Sequence, residues 1–295
     1  MKIFITGGTG FIGRYVVGKL VKEKHELLIL TRNPKSYRKN RINLLIGDIS
    51  KTGLIRKKIK AFKPDYAVHL AWESLPKYDY LTSIKNLKNS IDMVSLLAEY
   101  GCKKIFCAGS CFEYGGQAGS VEEESPLRPF NSFSAAKKAL HLIGDEIARE
   151  RGVALIWGRI FFAYGLGQRE QSLVPYLIKC AKHGKNPQLK TPYSRNDFIY
   201  VEDVADAIAM ALKKCSKTNT YNIGSGYPTS VSDIAKVIFE NFGIKLDMGN
   251  GSDYKPESDF WANISKIKQE TGWEPKFNIE KGLRKTIENA YNFVY

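Results

Sequence analysis

Residues 3 to 13 read Ile3-Phe4-Ile5-Thr6-Gly7-Gly8-Thr9-Gly10-Phe11-Ile12-Gly13, an apolar run feeding a loop with glycines at 7, 10 and 13. An amphipathic stretch follows through Leu20. At a first strand-to-helix turn this spacing suits a pyrophosphate. Gly7 permits the tight turn, Gly10 lets the backbone approach the phosphates, and Gly13 lets the helix pack on the strand. The helix start adds unbonded N–H groups and the positive end of its dipole. Gly7, Gly10, Phe11, Ile12 and Gly13 are therefore the predicted dinucleotide cradle. The end of the second strand selects the cofactor, because an acid there binds a ribose 2′-hydroxyl and repels a 2′-phosphate. Here it reads Leu30-Thr31-Arg32-Asn33-Pro34-Lys35, without an acid. Arg32 can hold a phosphate bidentately, and Lys35 and Arg14 add positive potential, so NADP is expected ahead of NAD. Five cysteines, an odd number with no CxxC spacing, read as reduced cytosolic thiols and give no case for a metal site.

The elements that must position this loop follow from the rhythm of the first half, where short β-branched runs alternate with longer amphipathic stretches. Strands are predicted at Lys2–Thr6, Glu26–Thr31, Asn43–Ile46, Tyr66–Leu70, Lys104–Ala108 and Ala154–Arg159. A helix is predicted over Ser134–Arg151, with Ala135, Ala139, Leu142, Ile143 and Ile147 on its apolar side and Gly152 as its stop. Another runs from about Leu81 to Tyr100, closed by Gly101. After Gly165 the alternation lapses, returns at Asp197–Lys213 and Thr220–Ile223, and lapses again. The fold class expected is α/β: a Rossmann doubly wound parallel sheet, residues 1–165 plus about 197–225. A smaller, interleaved C-terminal substrate lobe takes about 166–196 and 226–295.

The 295 residues suffice for this architecture, and 43% hydrophobic with 25% charged residues is ordinary for a globule. No apolar run approaches the roughly 20 residues of a membrane span, and the first strand begins at Lys2. The expectation is a cytoplasmic protein with no membrane partner. A formal charge of +15, with Asp48 the only acid between Arg32 and Lys63, invites a nucleic-acid reading. No nucleic-acid motif accompanies it, and a solvated lysine-rich surface that attracts phosphate-bearing small ligands is expected instead.

Further motifs join the glycine loop: His69-Leu70-Ala71, Ser110 with Tyr114-Gly115, Lys137, the run Arg195-Asn196-Asp197-Phe198-Ile199-Tyr200-Val201-Glu202-Asp203-Val204-Ala205, Tyr221-Asn222-Ile223-Gly224-Ser225-Gly226, and Thr271-Gly272-Trp273-Glu274-Pro275. Together they resemble the extended short-chain dehydrogenase/reductase family, the NAD(P)-dependent epimerases, dehydratases and reductases of nucleotide sugars. The resemblance implies that Asp48, followed by Ile49, binds the adenine amine and that Leu70 and Ala71 line the dinucleotide. Lys137 would hold the nicotinamide ribose, and Ser110 would bond the sugar oxygen at the reacting carbon. It also implies a homodimer through the two long helices, and a nucleotide-diphosphate sugar as partner. Arg195, and more weakly Lys179 and Lys182, would face its phosphates.

The sequence departs from that family at the residue that matters most. The family's proton-transferring tyrosine stands four residues before the lysine, a place held here by Phe133, which has no proton to exchange. No tyrosine lies between Tyr114 and Tyr164. Glu113, His141, Cys111 and Tyr164 are conceivable substitutes. Cys111 and Phe112 replace the acid pair of the family's dehydratases, and Glu113, offset by one on a strand, would face away. Where the family has Arg-x-x-Asn the chain has Arg159-Ile160-Phe161-Phe162, which places Phe162 in the substrate region. Catalytic candidates are thus Ser110, Phe133 and Lys137. The function expected is an NAD(P)-dependent oxidoreductase or epimerase of a nucleotide-activated (deoxy)sugar, with 4-keto reduction favoured and Phe133 as a native or introduced inactivation. The alternative is a non-catalytic NAD(P) or nucleotide-sugar binding regulator.

Overall fold

Runs such as Ile3-Phe4-Ile5 and Leu27–Leu30 are apolar at every position, so both faces of their sheet must be covered. They are: all seven side chains are 6% exposed or less. The computed structural model describes residues 1–33, 35, 37, 42–246 and 259–292. Pro34 and residues 247–258, which belonged to the readings above, lie outside them.

In chain order the described elements are β1 (Lys2–Thr6), α1 (Phe11–Lys22), β2 (Glu26–Thr31), β3 (Ile42–Ile46), α2 (Thr52–Phe62), β4 (Tyr66–His69), α3 (Tyr80–Glu99), β5 (Lys104–Ser110), a 3₁₀ turn at Cys111–Tyr114, β6 (Gly119–Val121), α4 (Ser132–Arg151), β7 (Ala154–Ile160), β8 (Phe162–Tyr164), α5 (Leu173–Lys182), β9 (Arg195–Tyr200), α6 (Val201–Lys214), β10 (Asn219–Ile223), β11 (Pro228–Ser230), α7 (Val231–Asn241), β12 (Phe260–Ala262), α8 (Ser265–Thr271) and α9 (Ile279–Asn292). Seven strands form one parallel sheet in the order β10-β7-β5-β4-β1-β2-β3. Strand order reverses between β1 and β4, which opens a crevice at their carboxyl ends. Helices α1 and α6 supply Val16, Val17, Leu20, Val204 and Ile208 to one face. From α2, α3 and α4 come Ile55, Ile59, Met93, Leu97 and Leu140 for the other.

A second sheet, β11-β9-β12-β6 with β8 beside β9, caps the crevice. Residues 197–200 were expected within the Rossmann unit, but β9 pairs with β8, β11 and β12 instead. The segment Val201–Lys214 does return to the large sheet as α6. A second correction concerns α4. The middle of its predicted apolar stripe faces outward, with Leu142 59% and Ile143 40% exposed, while Ile147 packs on the core. The inward face carries Phe133, Ala136, Lys137, Leu140, Gly144 and Ala148. Small residues are needed there because a Cβ on Gly144 would already lie 3.0 Å from the Leu155 side chain. The start moves to Ser132 because Asn131 caps the helix, accepting the Ser134 N–H at 2.8 Å. At the other end Gly152, left-handed at φ 64°, stops it as expected.

Candidate active site

The crevice is a cavity of about 530 Å³. Its floor is the glycine loop, and here the fit to a dinucleotide can be tested. A Cβ on Gly13 would lie 2.0 Å from the Gly7 carbonyl oxygen, and one on Gly7 would lie 2.7 Å from the Ala71 nitrogen. Only bare backbone allows the loop, α1 and the end of β4 to approach this closely. No side chain caps α1, and its first turn holds no acid. Its leading N–H groups and dipole thus face the cavity without an internal anion. The residues present fit a pyrophosphate.

Gly7, Gly10, Phe11, Ile12 and Gly13 share the lining with Leu70, Ser110, Phe133, Lys137 and Phe162, as the sequence reading grouped them. Ala71 sits just behind, its N–H donating to Thr6 Oγ1 at 3.3 Å. Lys137 Nζ donates to the Ala108 carbonyl at 2.7 Å and lies 4.0 Å above the Trp72 ring. Burial pulls its ammonium down to about 8, against the counterpull of the Glu113 carboxylate. The Phe133 ring meets Trp72 edge-on at 5.4 Å. Ser110 ends β5, where its Oγ accepts the Phe112 N–H at 3.2 Å and the residue lines the cavity.

The adenosine end is separate. Arg32, Asp48 and Ile49 follow β2 and β3, outside this lining. Arg32 is 69% exposed and its guanidinium is taken by carboxylates, paired with Glu73 and 3.7 Å from Asp48. Lys85 holds the other Glu73 oxygen at 3.0 Å. Asp48 accepts from the Ser50 hydroxyl and N–H, which hold its carboxyl below the usual range. Arg195 is exposed on β9, its N–H donating to Asp259, and does not reach the cavity. Lys179 and Lys182 are exposed on α5.

The four substitutes for a tyrosine at 133 fare poorly. Glu113 sits in the 3₁₀ turn rather than a strand, fully buried beneath the cavity. There it accepts from the Ser110 N–H, Trp157 Nε1 and Arg159 Nε. His141 stacks on Trp157 with ring centroids 4.6 Å apart. Tyr164 donates to the Ile279 carbonyl and does not line the cavity. Cys111 does line it, but burial pushes its thiol far up. Sequence reasoning missed Trp72, Tyr78, Gln168 and Arg169, which complete the wall. They come from loops after β4 and β8 whose course follows no periodicity. Among the described residues lining the cavity none is an Asp or Glu. No group of three or more potential metal ligands occurs among the described residues, and none of their helices is long and apolar enough to cross a membrane.

Comparison with known proteins agrees with this geometry. Over 97% of its length the chain is 30% identical to the trifunctional UDP-glucose 4,6-dehydratase/UDP-4-keto-6-deoxy-D-glucose 3,5-epimerase/UDP-4-keto-L-rhamnose-reductase RHM3 of Arabidopsis thaliana; it spans about half (46%) of that relative. Among solved structures it resembles UDP-glucose 4-epimerase from Thermotoga maritima with UDP-glucose, at TM-score 0.89 and 23% identity over 100% of each chain. It also resembles dTDP-glucose 4,6-dehydratase from Bacillus anthracis in complex with NAD, at TM-score 0.84 and 25% identity over 99% of this chain and 97% of that one. The model of the NAD dependent epimerase/dehydratase family matches residues 3–224, and the chain belongs to that family.

Proposed function

We propose that the protein is a reductase of 4-keto nucleotide sugars. The observation that carries this reading is the composition of the cavity wall, which offers two serine hydroxyls, an ammonium, a phenol and a guanidinium but no carboxylate among the described residues. Elimination of water needs an acid and a base beside the sugar ring, and Cys111 and Phe112 supply neither. Epimerisation begins by oxidising an alcohol, which requires a base. Lys137, near 8 and donating to Ala108, is mostly charged at neutral pH. Reduction needs only a hydride and a proton donor.

In this reading the glycine loop and the start of α1 hold the pyrophosphate, and Leu70 and Ala71 line the nicotinamide half. Asp48 and Ile49 take the adenine. Lys137 keeps two donors beyond Ala108 for ribose hydroxyls. The bound dinucleotide supplies the hydride. Ser110 donates to the carbonyl oxygen of the sugar, and Phe162 packs on the sugar face. Arg195 faces the diphosphate only if the small lobe moves inward on binding. NAD serves as cofactor, as in the Bacillus anthracis relative, and discrimination from NADP is small. A 2′-phosphate must displace the Glu73 carboxylate from Arg32, so its gain is the difference between two charge-assisted bonds.

The exposed apolar side chains Leu81 and Ile84 on α3 and Leu142 and Ile143 on α4 are 40% to 66% exposed and lie on packed neighbouring helices. They support a two-fold homodimer through this face. The test of function is single-turnover oxidation of NADH with a panel of UDP- and dTDP-linked 4-keto-6-deoxyhexoses. Stoichiometric oxidation with formation of the alcohol is expected. Tight binding of both ligands without oxidation favours the regulator that Phe133 brings to mind.

A further inference from the structure

Within that reading the cavity lacks a phenol at 133 yet holds one nearby. Tyr78 is the only tyrosine among the described lining residues. Its ring lies 5.2 Å from the Phe133 ring at an interplanar angle of 41°, and 5.9 Å from Phe112. Phe133 in turn stands edge-on to Trp72, over which Lys137 Nζ is held. Tyr78 is thus packed on the very side chain that replaces the family's tyrosine, and both line the cavity. No hydrogen bond among the described residues takes its hydroxyl.

The loop that carries Tyr78 is fixed at both ends. Asn86 accepts the Glu73 N–H at 2.7 Å and donates to the Glu73 carbonyl at 3.3 Å. Asp79 caps α3 by accepting the Thr82 N–H at 2.9 Å. Between them Ser74 adopts φ 62° and its carbonyl accepts the Lys77 N–H at 2.8 Å, a left-handed turn that a residue other than glycine holds only under constraint. Ser74 and Leu75 also line the cavity. We propose that Tyr78 is the proton donor of this active site, reaching the sugar carbonyl from the loop after β4 in place of a tyrosine on α4. The carbonyl carbon takes the hydride, two electrons and one nucleus, from a dihydronicotinamide. Its oxygen takes the phenolic proton, so that an alcohol, an oxidised nicotinamide and a Tyr78 phenolate result. Water returns the proton to Tyr78 between turnovers.

The groups around Tyr78 keep its phenol protonated. Burial raises its phenol, and Cys111 on the 3₁₀ turn adds to that, while Arg169 from the loop after β8 opposes both. Lys137 on α4 shares the same cavity. The phenol is therefore protonated at neutral pH, and the Arg169 guanidinium favours the phenolate after transfer. Protonated at rest, it starts as a donor to a carbonyl oxygen and not as a base toward an alcohol.

Three variants and two readouts decide the matter. In single-turnover NADH oxidation with the same panel, Tyr78→Phe is expected to slow the step about 10²–10⁴-fold, the range for a lost general acid. Phe133→Tyr in that background is expected to restore at least tenfold. An unchanged Tyr78→Phe rate overturns the proposal, and so does a parent that is inert while Phe133→Tyr alone turns over; both leave the reductase reading intact. The second readout needs no turnover. Phenolate absorbance is titrated with and without saturating NAD, whose oxidised nicotinamide carries a positive charge. A phenol whose ionisation falls by a pH unit or more on adding NAD, and which vanishes in Tyr78→Phe, is expected. If neither parent nor Phe133→Tyr reduces any substrate, the reductase reading fails. This titration then judges Tyr78 alone, and identical curves for parent and Tyr78→Phe overturn it.

Discussion

Adding one methyl group at Gly13 probes the cradle more sharply than removing any side chain. The new Cβ would stand 2.0 Å from Gly7 O, 2.8 Å from Gly7 C and 2.8 Å from Gly8 Cα, and real Cβ atoms essentially never come closer than 3.0 Å. At least about 1 Å must therefore be found between α1 and the loop. The loop cannot yield cheaply, since Gly7 O accepts the Gly10 N–H at 3.0 Å and Gly7 is itself pressed on the backbone of Leu70 and Ala71. Overpacking of this kind costs roughly 1–3 kcal/mol of stability. The larger effect falls on binding, because the shift withdraws at least one helix-terminal N–H from the pyrophosphate. One charge-assisted bond of about 1.5–3 kcal/mol corresponds to roughly 10- to 150-fold in Kd. Gly18→Ala, in the same helix with nothing within 4 Å of its Cβ, is the control and should stabilise by about 0.5–1 kcal/mol. The assay is NADH fluorescence titration beside thermal unfolding. A Gly13→Ala protein that binds NADH within threefold of the parent would refute the cradle.

Titration with NADH and NADPH should give dissociation constants within about threefold of each other. A preference above tenfold for NADPH would show that Arg32 leaves Glu73 for the 2′-phosphate. His69, buried with Nδ1 2.8 Å from Thr6 Oγ1, is held neutral and its imidazole is pulled down to about 3 by burial, with Lys137 adding to it. Its pKa is lower folded than unfolded, so stability is full above pH 6.5 and lost as pH falls toward 3. The loss should reach roughly 2–3 kcal/mol by about pH 4.5 in urea unfolding. His69→Gln should flatten that slope; an unaltered slope would exclude His69 as its source. Leu142→Glu should turn a dimer into a monomer in sedimentation, and a parent that sediments as a monomer would remove the proposed interface.

Legibility in the sequence followed the kind of physics that fixes each part. The strands of the large sheet and the helix Tyr80–Glu99 could be read because burial imposes a period and glycine or an Asx residue marks the ends. The glycine cradle could be read because close backbone approach admits one residue type. The face of α4 was misread, since apolar character alone does not say whether a stripe meets a core or leaves Leu142 and Ile143 in solvent. Strand β9 was assigned to the wrong sheet because pairing partners leave no local trace. The acids around Arg32 arrive from β3 and from the loop after β4, distant in sequence, so the isolated arginine looked more available than it is. Tyr78 escaped for the same reason, since it reaches Phe133 from a loop distant in sequence.

The most direct measurement is isotopic. The protein is incubated with a 4-keto-6-deoxyhexose nucleotide and NADH carrying deuterium at the transferable position of the nicotinamide, and the product sugar is weighed and its labelled carbon located by nuclear magnetic resonance. One deuterium on C4 of the sugar alcohol, in step with cofactor oxidation, is the expected result. A bound but unreduced substrate, or a product in which C4 carries only protium, would contradict hydride transfer in this cavity.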